Sequence, residues 1–224
     1  MQPYFFPYIG YYQLVASVDE FVFFDDVTYI KKGHINRNSI LLNRNQFDFT
    51  IPISKVSQNK KILDHYYSGE FESFFRKITY SYKKAPWFLK VIPIIERVIF
   101  DSNNCVAEKN AKSIQMVCEY IGLNRAYSFS SALRIDEKFK AQDRVIEICK
   151  RKKSSEYHNA SGGINLYRSE DFKKDGIELK FVKTKSMVYS QGDRDFVPNL
   201  SIIDVLMWND LATVRSLLQE YVLV

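Results

Sequence analysis

Residues Gln2 to Leu14 read QPYFFPYIGYYQL, and residues Phe21 to Asn38 read FVFFDDVTYIKKGHINRN. These two stretches decide the fold class. Pro3 and Pro7 restrict an aromatic run, and Gly10 then permits a tight turn or a close backbone approach. Residues 9–18 read as a short helix. Residues 20–25 read as a strand, because Phe21, Val22, Phe23 and Phe24 form the continuous apolar run of a strand covered on both faces. Loop, helix and buried strand in that order, followed by helices and single strands, predict an α/β layer architecture. The expected form is an open, mainly parallel sheet with a β-hairpin excursion and a helical region at about 70–152. One domain spanning residues 1–224 is expected.

Outward from this start, residues 37–53 read as the hairpin. Ser39 to Leu42 and Gln46 to Ile51 flank Asn43-Arg44-Asn45, which is turn chemistry. Phe47, Phe49 and Ile51 alternate with polar residues, so one face should be wet. Helices are expected at about 70–83, 87–99, 104–121 and 137–152. Pro86 separates the first two and Gly122 stops the third. Val106, Ile114, Val117, Cys118 and Ile121 keep helical spacing. Strands are expected at about 125–129 and 177–183, the second after the Asp175-Gly176 turn signal. Two helices, Ser201 to Trp208 and Leu211 to Tyr221, close the chain, with Asp210 as a cap. There is no internal repeat or low-complexity linker.

Polar groups of both signs gather just beyond the 20–25 strand. Asp25 and Asp26 are adjacent, and successive strand side chains point to opposite faces, so they do not form an acid/base dyad unless the chain turns. One of them can face the crevice at the carboxyl ends of the strands, where open α/β folds bind ligands. There it can hold a hydroxyl, an amine or Mg²⁺; capping the following loop is the alternative. Lys31, Lys32, His34, Asn36 and Arg37 follow, with Tyr29 beside them. Arg grips a phosphate with two donors and Lys supplies a mobile charge, while a solvated loop is the alternative. Gln2 and Tyr4 lie on the aromatic loop with hydrogen-bonding groups, and Gly10 at a helix start is the place for phosphate cradling, although no Walker or complete dinucleotide motif is present. Ser161 and Gly162, in Tyr157 to Gly163, can present backbone amides to an anion or form a flexible turn. Asp204 sits in Ser201 to Asp204 at a helix start. It is a candidate proton acceptor, and helix capping led by Ser201 is the alternative.

A net charge of +6, from 32 Lys and Arg against 26 Asp and Glu, favours anionic ligands. The clusters Lys150 to Lys153 and Lys60-Lys61 are short, and no zinc-finger, RNA-recognition or basic heptad signature occurs, so nucleic acid is not an expected partner. Cys105, Cys118 and Cys149 are far apart, odd in number and without metal-ligand spacing. They read as reduced thiols of a cytoplasmic protein, with Cys118 and Cys149 buried on helix faces. No apolar run reaches the roughly 18 residues of a membrane span, and the opening is not a signal peptide. The 15 Tyr and 17 Phe suit half-wet surfaces such as sugar clefts, and equally ordinary cores.

The chain resembles the WbqC-like family through QPYFFPYIGYYQL and FVFFDDVTYIKKGHINRN. The likeness continues at Lys84 to Phe88, Tyr157 to Gly163 and Leu200 to Asp204, and so covers nearly the whole chain. The family usually carries Trp where this chain has His34, so the resemblance does not nominate His34 as a base. It usually has several apolar residues before the Gln-Pro, forming a first strand, and by that comparison the N-terminal edge here is expected to be partly open. The resemblance implies a place in bacterial surface-polysaccharide and O-antigen (lipopolysaccharide) biosynthesis, as a transferase moving a glycyl, other aminoacyl or acyl group onto an amino-sugar nucleotide. Such aminolysis needs proton removal from an amine and stabilisation of an oxyanion. Asp25 or Asp204 would do the first, and amides around Ser161 to Gly163 the second. Arg37 and Lys31 would hold the diphosphate of a nucleotide sugar or the phosphopantetheine of an acyl or aminoacyl carrier. Two other readings stay open: nucleotidyl transfer with a nucleotide and Mg²⁺, and a non-catalytic module that binds a carrier or partner. The residues name no cofactor and no metal site.

Overall fold

The computed structural model describes residues 1–224 apart from Arg44 and Arg194. After the aromatic loop, α1 (Ile9–Ala16) leads into β1 (Glu20–Phe23). The hairpin β2 (Arg37–Leu42) and β3 (Asn45–Thr50) follows, with Arg37 opposite Thr50 and Leu42 opposite Asn45. Its expected turn, Asn43 to Asn45, includes Arg44 and so lies outside the described residues. Two short strands, β4 (Ile53–Ser54) and β5 (Tyr66–Tyr67), pair antiparallel with each other.

Three helices fill the middle of the chain: α2 (Glu72–Tyr82), α3 (Phe88–Ile99) and α4 (Val106–Ile121). Phe74, Ile78 and Tyr82 of α2 are spaced four apart and all buried, which is one helix face. Pro93 lies inside α3 but is exposed, so the carbonyl that it leaves without a donor can meet water. Gly122 ends α4 at φ 75°, the left-handed geometry that favours glycine. The buried Lys109 ammonium donates to the carbonyls of Val98, Ile99 and Asp101 at 3.0, 3.3 and 3.0 Å. It thereby caps the carboxyl end of α3, where the helix dipole favours a cation.

β6 (Ala126–Phe129) pairs in parallel with β1, Glu20 opposite Ala126 and Phe23 opposite Phe129. After α5 (Ala141–Arg151), β7 (Glu156–Ala160) and α6 (Ser169–Lys174), β8 (Glu178–Thr184) pairs in parallel with β7. Helices α7 (Ile202–Trp208) and α8 (Leu211–Leu217) precede β9 (Tyr221–Leu223), which joins β8 antiparallel. The fold is α/β, with parallel pairs, a hairpin and a helical region. Among the described residues its strands are divided among four small sheets. Sequence periodicity misses β7, because Glu156 to Ala160 has no apolar run. The last helix stops at Leu217, since residues 221–223 are drawn onto the edge of β8. Helix α5 begins at Ala141 rather than 137. No helix of the described residues is long and apolar enough to cross a membrane.

The main core gathers the N-terminal loop, α1, β1 and the helices around Phe5, Tyr12, Phe23, Ile78, Val98 and Val117. A smaller cluster joins α5, α6 and the turn before β8 through Val145, Cys149, Phe172 and Ile177. One buried polar residue links three segments of the main core. Asn110 Nδ2 donates to the carbonyls of Pro3 at 3.0 Å and Ile35 at 2.7 Å, and its Oδ1 accepts the Tyr67 hydroxyl at 2.7 Å. Asn110→Leu would leave the Pro3 carbonyl and the Tyr67 hydroxyl buried without their partner, each worth about 1–3 kcal/mol, and the Ile35 carbonyl with the Phe5 N–H alone. We expect a loss of roughly 3 kcal/mol or more in urea unfolding; a loss under about 1 kcal/mol would show that the linkage carries little energy.

The Met1 amine donates to the Val22 carbonyl at 2.9 Å, and the Phe24 N–H donates to the Met1 carbonyl at 2.8 Å. Burial pushes this amine down to about 5 from its ordinary value of 8.0. The unfolded chain then binds more protons than the folded one between these values, so this group adds stability as pH rises from about 5 to 8. Acetylating Met1 removes the charge and keeps one N–H for Val22. Melting temperatures of the acetylated and free proteins should diverge toward pH 5, the acetylated one being higher, and converge near pH 8.

Candidate functional site

The loop from Gln2 to Tyr8 is held in a strained form. Phe6 has φ 42°, which a bulky side chain rarely adopts. Three contacts fix it there. The Phe6 N–H donates to Ser113 Oγ at 3.1 Å, and its carbonyl accepts Asn38 Nδ2 at 2.5 Å and Ser201 Oγ at 2.7 Å. Strain that persists because surrounding groups over-determine it concentrates at ligand sites. Phe5 and Phe6 point into the core, while Gln2, Tyr4 and Tyr8 stay half-buried. Burial, and then the neighbouring Tyr8, raises the Tyr4 phenol above its ordinary range.

The segment 31–38 lies against this loop. Phe5 N–H donates to the Ile35 carbonyl at 3.1 Å, and the Tyr4 and His34 rings stand 6.0 Å apart, tilted. Lys31, Lys32 and His34 are exposed and Arg37 is half-buried. Arg37 Nη1 donates to the Lys32 carbonyl at 3.3 Å, which folds the basic segment back on itself. Lys32 takes a left-handed φ of 62°. Tyr4 is thus beside Tyr8 and His34, and Arg37 is joined to the exposed Lys31-Lys32 pair through the Lys32 carbonyl. Sequence reasoning passed over Tyr8, although the half-wet tyrosine rule was the signal for it.

The other candidates are enclosed. Tyr29 and Asn36 are buried; the Tyr29 hydroxyl donates to Asn36 Oδ1 at 2.8 Å, and Asn36 Nδ2 donates to the Ile51 carbonyl at 2.7 Å. They brace the entry to the hairpin rather than face solvent. Gly10 is buried, and a Cβ there would sit 2.4 Å from the Tyr8 ring and 2.8 Å from Thr184 Oγ1. Its lack of a side chain lets the Tyr8 ring and Thr184 pack against the backbone there. Ser161 is half-buried and Gly162 exposed at the start of the 3₁₀ turn Ser161–Leu166, with open space about Gly162. The closer fit is at Gly163, where a Cβ would meet Asn159 Nδ2 at 3.0 Å.

Asp25 and Asp26 follow β1 by two residues, so the chain has turned and strand alternation no longer separates them. The Ser131 N–H and hydroxyl donate to Asp25 at 3.0 and 2.6 Å, and Ser130 Oγ lies within hydrogen-bond reach of both carboxylates. One hydroxyl proton serves one of them at a time. Asp26 is paired with Arg144 of α5, both almost wholly buried, and Arg144 Nη1 also donates to the carbonyls of Ile135 and Asp136 at 3.3 Å each. Asp204 is fully buried and accepts the Tyr82 hydroxyl and Gln191 Nε2, each at 2.9 Å. Burial and the adjacent Asp204 hold the Tyr82 phenol well above its ordinary range. Carboxylates enclosed in this way have no open face for an amine proton. Asp25, expected as a proton acceptor, ties the end of β1 to the end of β6, and Asp204, expected in the same role, ties α7 to α2. Asp26, expected to bind substrate, is likewise an internal ion-pair partner.

All three cysteines are buried free thiols, and burial raises Cys118 and Cys149 to about 11. Among the described residues no group of three His, Cys, Asp or Glu side chains is arranged to hold a metal ion. Arg144→Met would leave Asp26 buried without its cation and should cost about 3–5 kcal/mol in urea unfolding. The double variant with Asp26→Leu should recover much of that loss, because neither charge is then stranded; equal losses in the single and double variants would refute a stabilising pair.

No solved structure shows a significant match to the chain. A curated relative, "Uncharacterized protein Rv1507c" of Mycobacterium tuberculosis, is 22% identical over 211 residues, covering 92% of this chain and 90% of the relative. Residues 2–216 match the WbqC-like protein family, a span that includes the strained loop, the basic segment, Ser161–Gly162 and Asp204. The chain belongs to the WbqC-like protein family.

Proposed function

We propose that this protein is a transferase that moves an aminoacyl, such as glycyl, or acyl group onto an amino-sugar nucleotide in bacterial surface-polysaccharide (O-antigen) biosynthesis. The observation that carries this reading is the pinned loop Gln2–Tyr8 beside the basic segment 31–37. A strained backbone there presents Tyr4 and Tyr8 as half-exposed rings, and the adjoining segment presents Lys31, Lys32 and Arg37. Rings with a polar tip suit a sugar face, and guanidinium and ammonium groups suit a diphosphate. Gln2 adds hydrogen-bonding groups at the loop's start. The amides of half-buried Ser161 and exposed Gly162, beyond the carboxyl end of β7, are the proposed oxyanion donors. Asp25 and Asp204 act through the loops that they anchor.

A non-catalytic module that binds a carrier or a partner enzyme is the second reading. The enclosure of both Asp25 and Asp204 favours it, because a transferase needs a proton acceptor in reach of the amine. The two readings part on turnover: mass spectrometry of a nucleotide amino sugar, incubated with an activated glycyl donor, shows an added glycyl group only under the first.

Arg37→Ala tests the binding surface shared by both. A charge-assisted contact to phosphate contributes about 1.5–3 kcal/mol, so calorimetric titration with a nucleotide amino sugar that binds the wild type should show roughly 10- to 150-fold weaker affinity. Loss of the bond to the Lys32 carbonyl should change stability by about 1 kcal/mol or less. Unchanged affinity would remove Arg37, and with it the main anion contact, from the site.

A further inference from the structure

Helix α3 is apolar on nearly every side. Of its twelve residues only Lys90, Glu96 and Arg97 are charged. Val91, Ile95, Val98 and Ile99 are buried and form its core face. The opposite face of a surface helix should be polar. Here it carries Leu89, Pro93, Arg97 and, at the cap, Phe100, spaced four, four and three apart and all exposed. Leu89 is 81% exposed, more than any other large apolar side chain of the described residues, and Phe100 is 53% exposed. The half-buried Phe75 of α2 meets the Phe100 ring edge-on at 5.5 Å and widens the apolar face. An exposed apolar stripe of this kind marks a contact surface.

The charge around this stripe has one sign. Residues 73–95 hold Arg76, Lys77, Lys83, Lys84 and Lys90 and no Asp or Glu, although the whole chain carries 26 acidic residues in 224. Lys83, Lys84 and Lys90 are exposed at the corner where α2 turns into α3. The Ala85 N–H donates to the Tyr82 carbonyl at 2.8 Å and the Phe88 N–H to the Ala85 carbonyl at 3.2 Å, so the chain turns tightly and the lysines flank Leu89. None of the three is in an ion pair with a described residue. Lys83 stands over the exposed Tyr80 ring at 5.7 Å. The corner is fixed to α7, because the N–H of half-buried Trp87 donates to the Met207 carbonyl at 3.2 Å.

From this pairing of exposed apolar side chains with cations that lack acidic neighbours, we infer that α3 and the α2–α3 corner are a docking surface for an anionic lipid bilayer. The helix lies along the bilayer surface. Leu89, Pro93 and Phe100 enter the boundary between headgroups and acyl chains, and the lysine ammonium groups reach lipid phosphates. Lysine suits that place, since its stem lies along apolar surface while the charge stays wet. Insertion is shallow. Pro93 leaves the Leu89 carbonyl without its helical donor, and that carbonyl needs water at the headgroup level. A second copy of the chain is the poorer occupant, because two such corners would bring like charges together. The inference concerns where the protein works and stands apart from the transfer reaction.

The test is sedimentation of the full chain with vesicles of mixed phosphatidylcholine and phosphatidylglycerol, compared with vesicles of phosphatidylcholine alone. Binding to the mixed vesicles should be stronger by about tenfold or more, because each lysine near an anionic surface contributes about fivefold. Lys83→Glu, Lys84→Glu and Lys90→Glu together should weaken it by roughly a hundredfold or more. The same charge change at the exposed Lys140, Lys173 and Lys183 should weaken it by about threefold or less, since screening confines the effect to charges near the surface. Leu89→Ser, which keeps the net charge, should weaken it by about fivefold or more. All these side chains are exposed, so each variant should melt with the wild type. Equal binding to both kinds of vesicle, binding to neither, a control as weak as the corner variant, or unchanged binding of Leu89→Ser would overturn the inference. So would a dimer in solution that Leu89→Ser dissociates, since the face would then belong to a second copy.

Discussion

The structure depends on one constraint: an aromatic loop with a left-handed phenylalanine must be held against its own preference. Phe6 does not adopt its backbone geometry by choice; it is kept there by Ser113, Asn38 and Ser201, three residues from α4, β2 and the start of α7. Asn110 extends the same hold to Pro3 and Ile35. Each donor is buried or partly buried, where an unmade hydrogen bond is expensive, so the loop and its surroundings are fixed together. The half-exposed face of Tyr4 and Tyr8 is the outer surface of this inner arrangement.

The charged groups divide into two kinds by solvent access. Asp25, Asp26, Arg144 and Asp204 lie inside and satisfy one another or nearby hydroxyls and amides. Lys31 and Lys32 lie outside and Arg37 at the margin. A buried pair contributes shape more surely than energy, because desolvation offsets much of its attraction. The exposed cations keep their field available to an incoming anion. The division leaves cations open to solvent and the carboxylates to fix strand and helix ends inside.

Much of the fold was legible where a local rule acts alone. The run from Phe21 reads as a strand, Gly122 as a helix stop, and Ser201 and Asp210 as caps, and each is so in the structure, although the strand ends at Phe23 and buries Phe21 and Phe23 more fully than Val22. The illegible parts depend on distant partners. Nothing local joins Asp26 to Arg144, 118 residues away, or encloses Asp204 with Tyr82. Strand β7 lacks an apolar run and is a strand because β8 pairs with it. Of the proposed site, the charge and aromatic content around residues 2–37 could be read directly. Which members face solvent could not, since Asn36 and Lys31 differ in burial only through the hairpin that follows them.

The Ser201 contact has a consequence for biosynthesis. The loop Gln2–Tyr8 leaves the ribosome ahead of its hydrogen-bond partners, which include residues 38, 110, 113 and 201. At roughly 5–20 residues per second, about 10–40 s pass between translation of the loop and of its last partner. Through that interval the most aromatic part of the chain has no completed seat. The docking of this surface is therefore a late step of folding, completed only once Ser201 has been made.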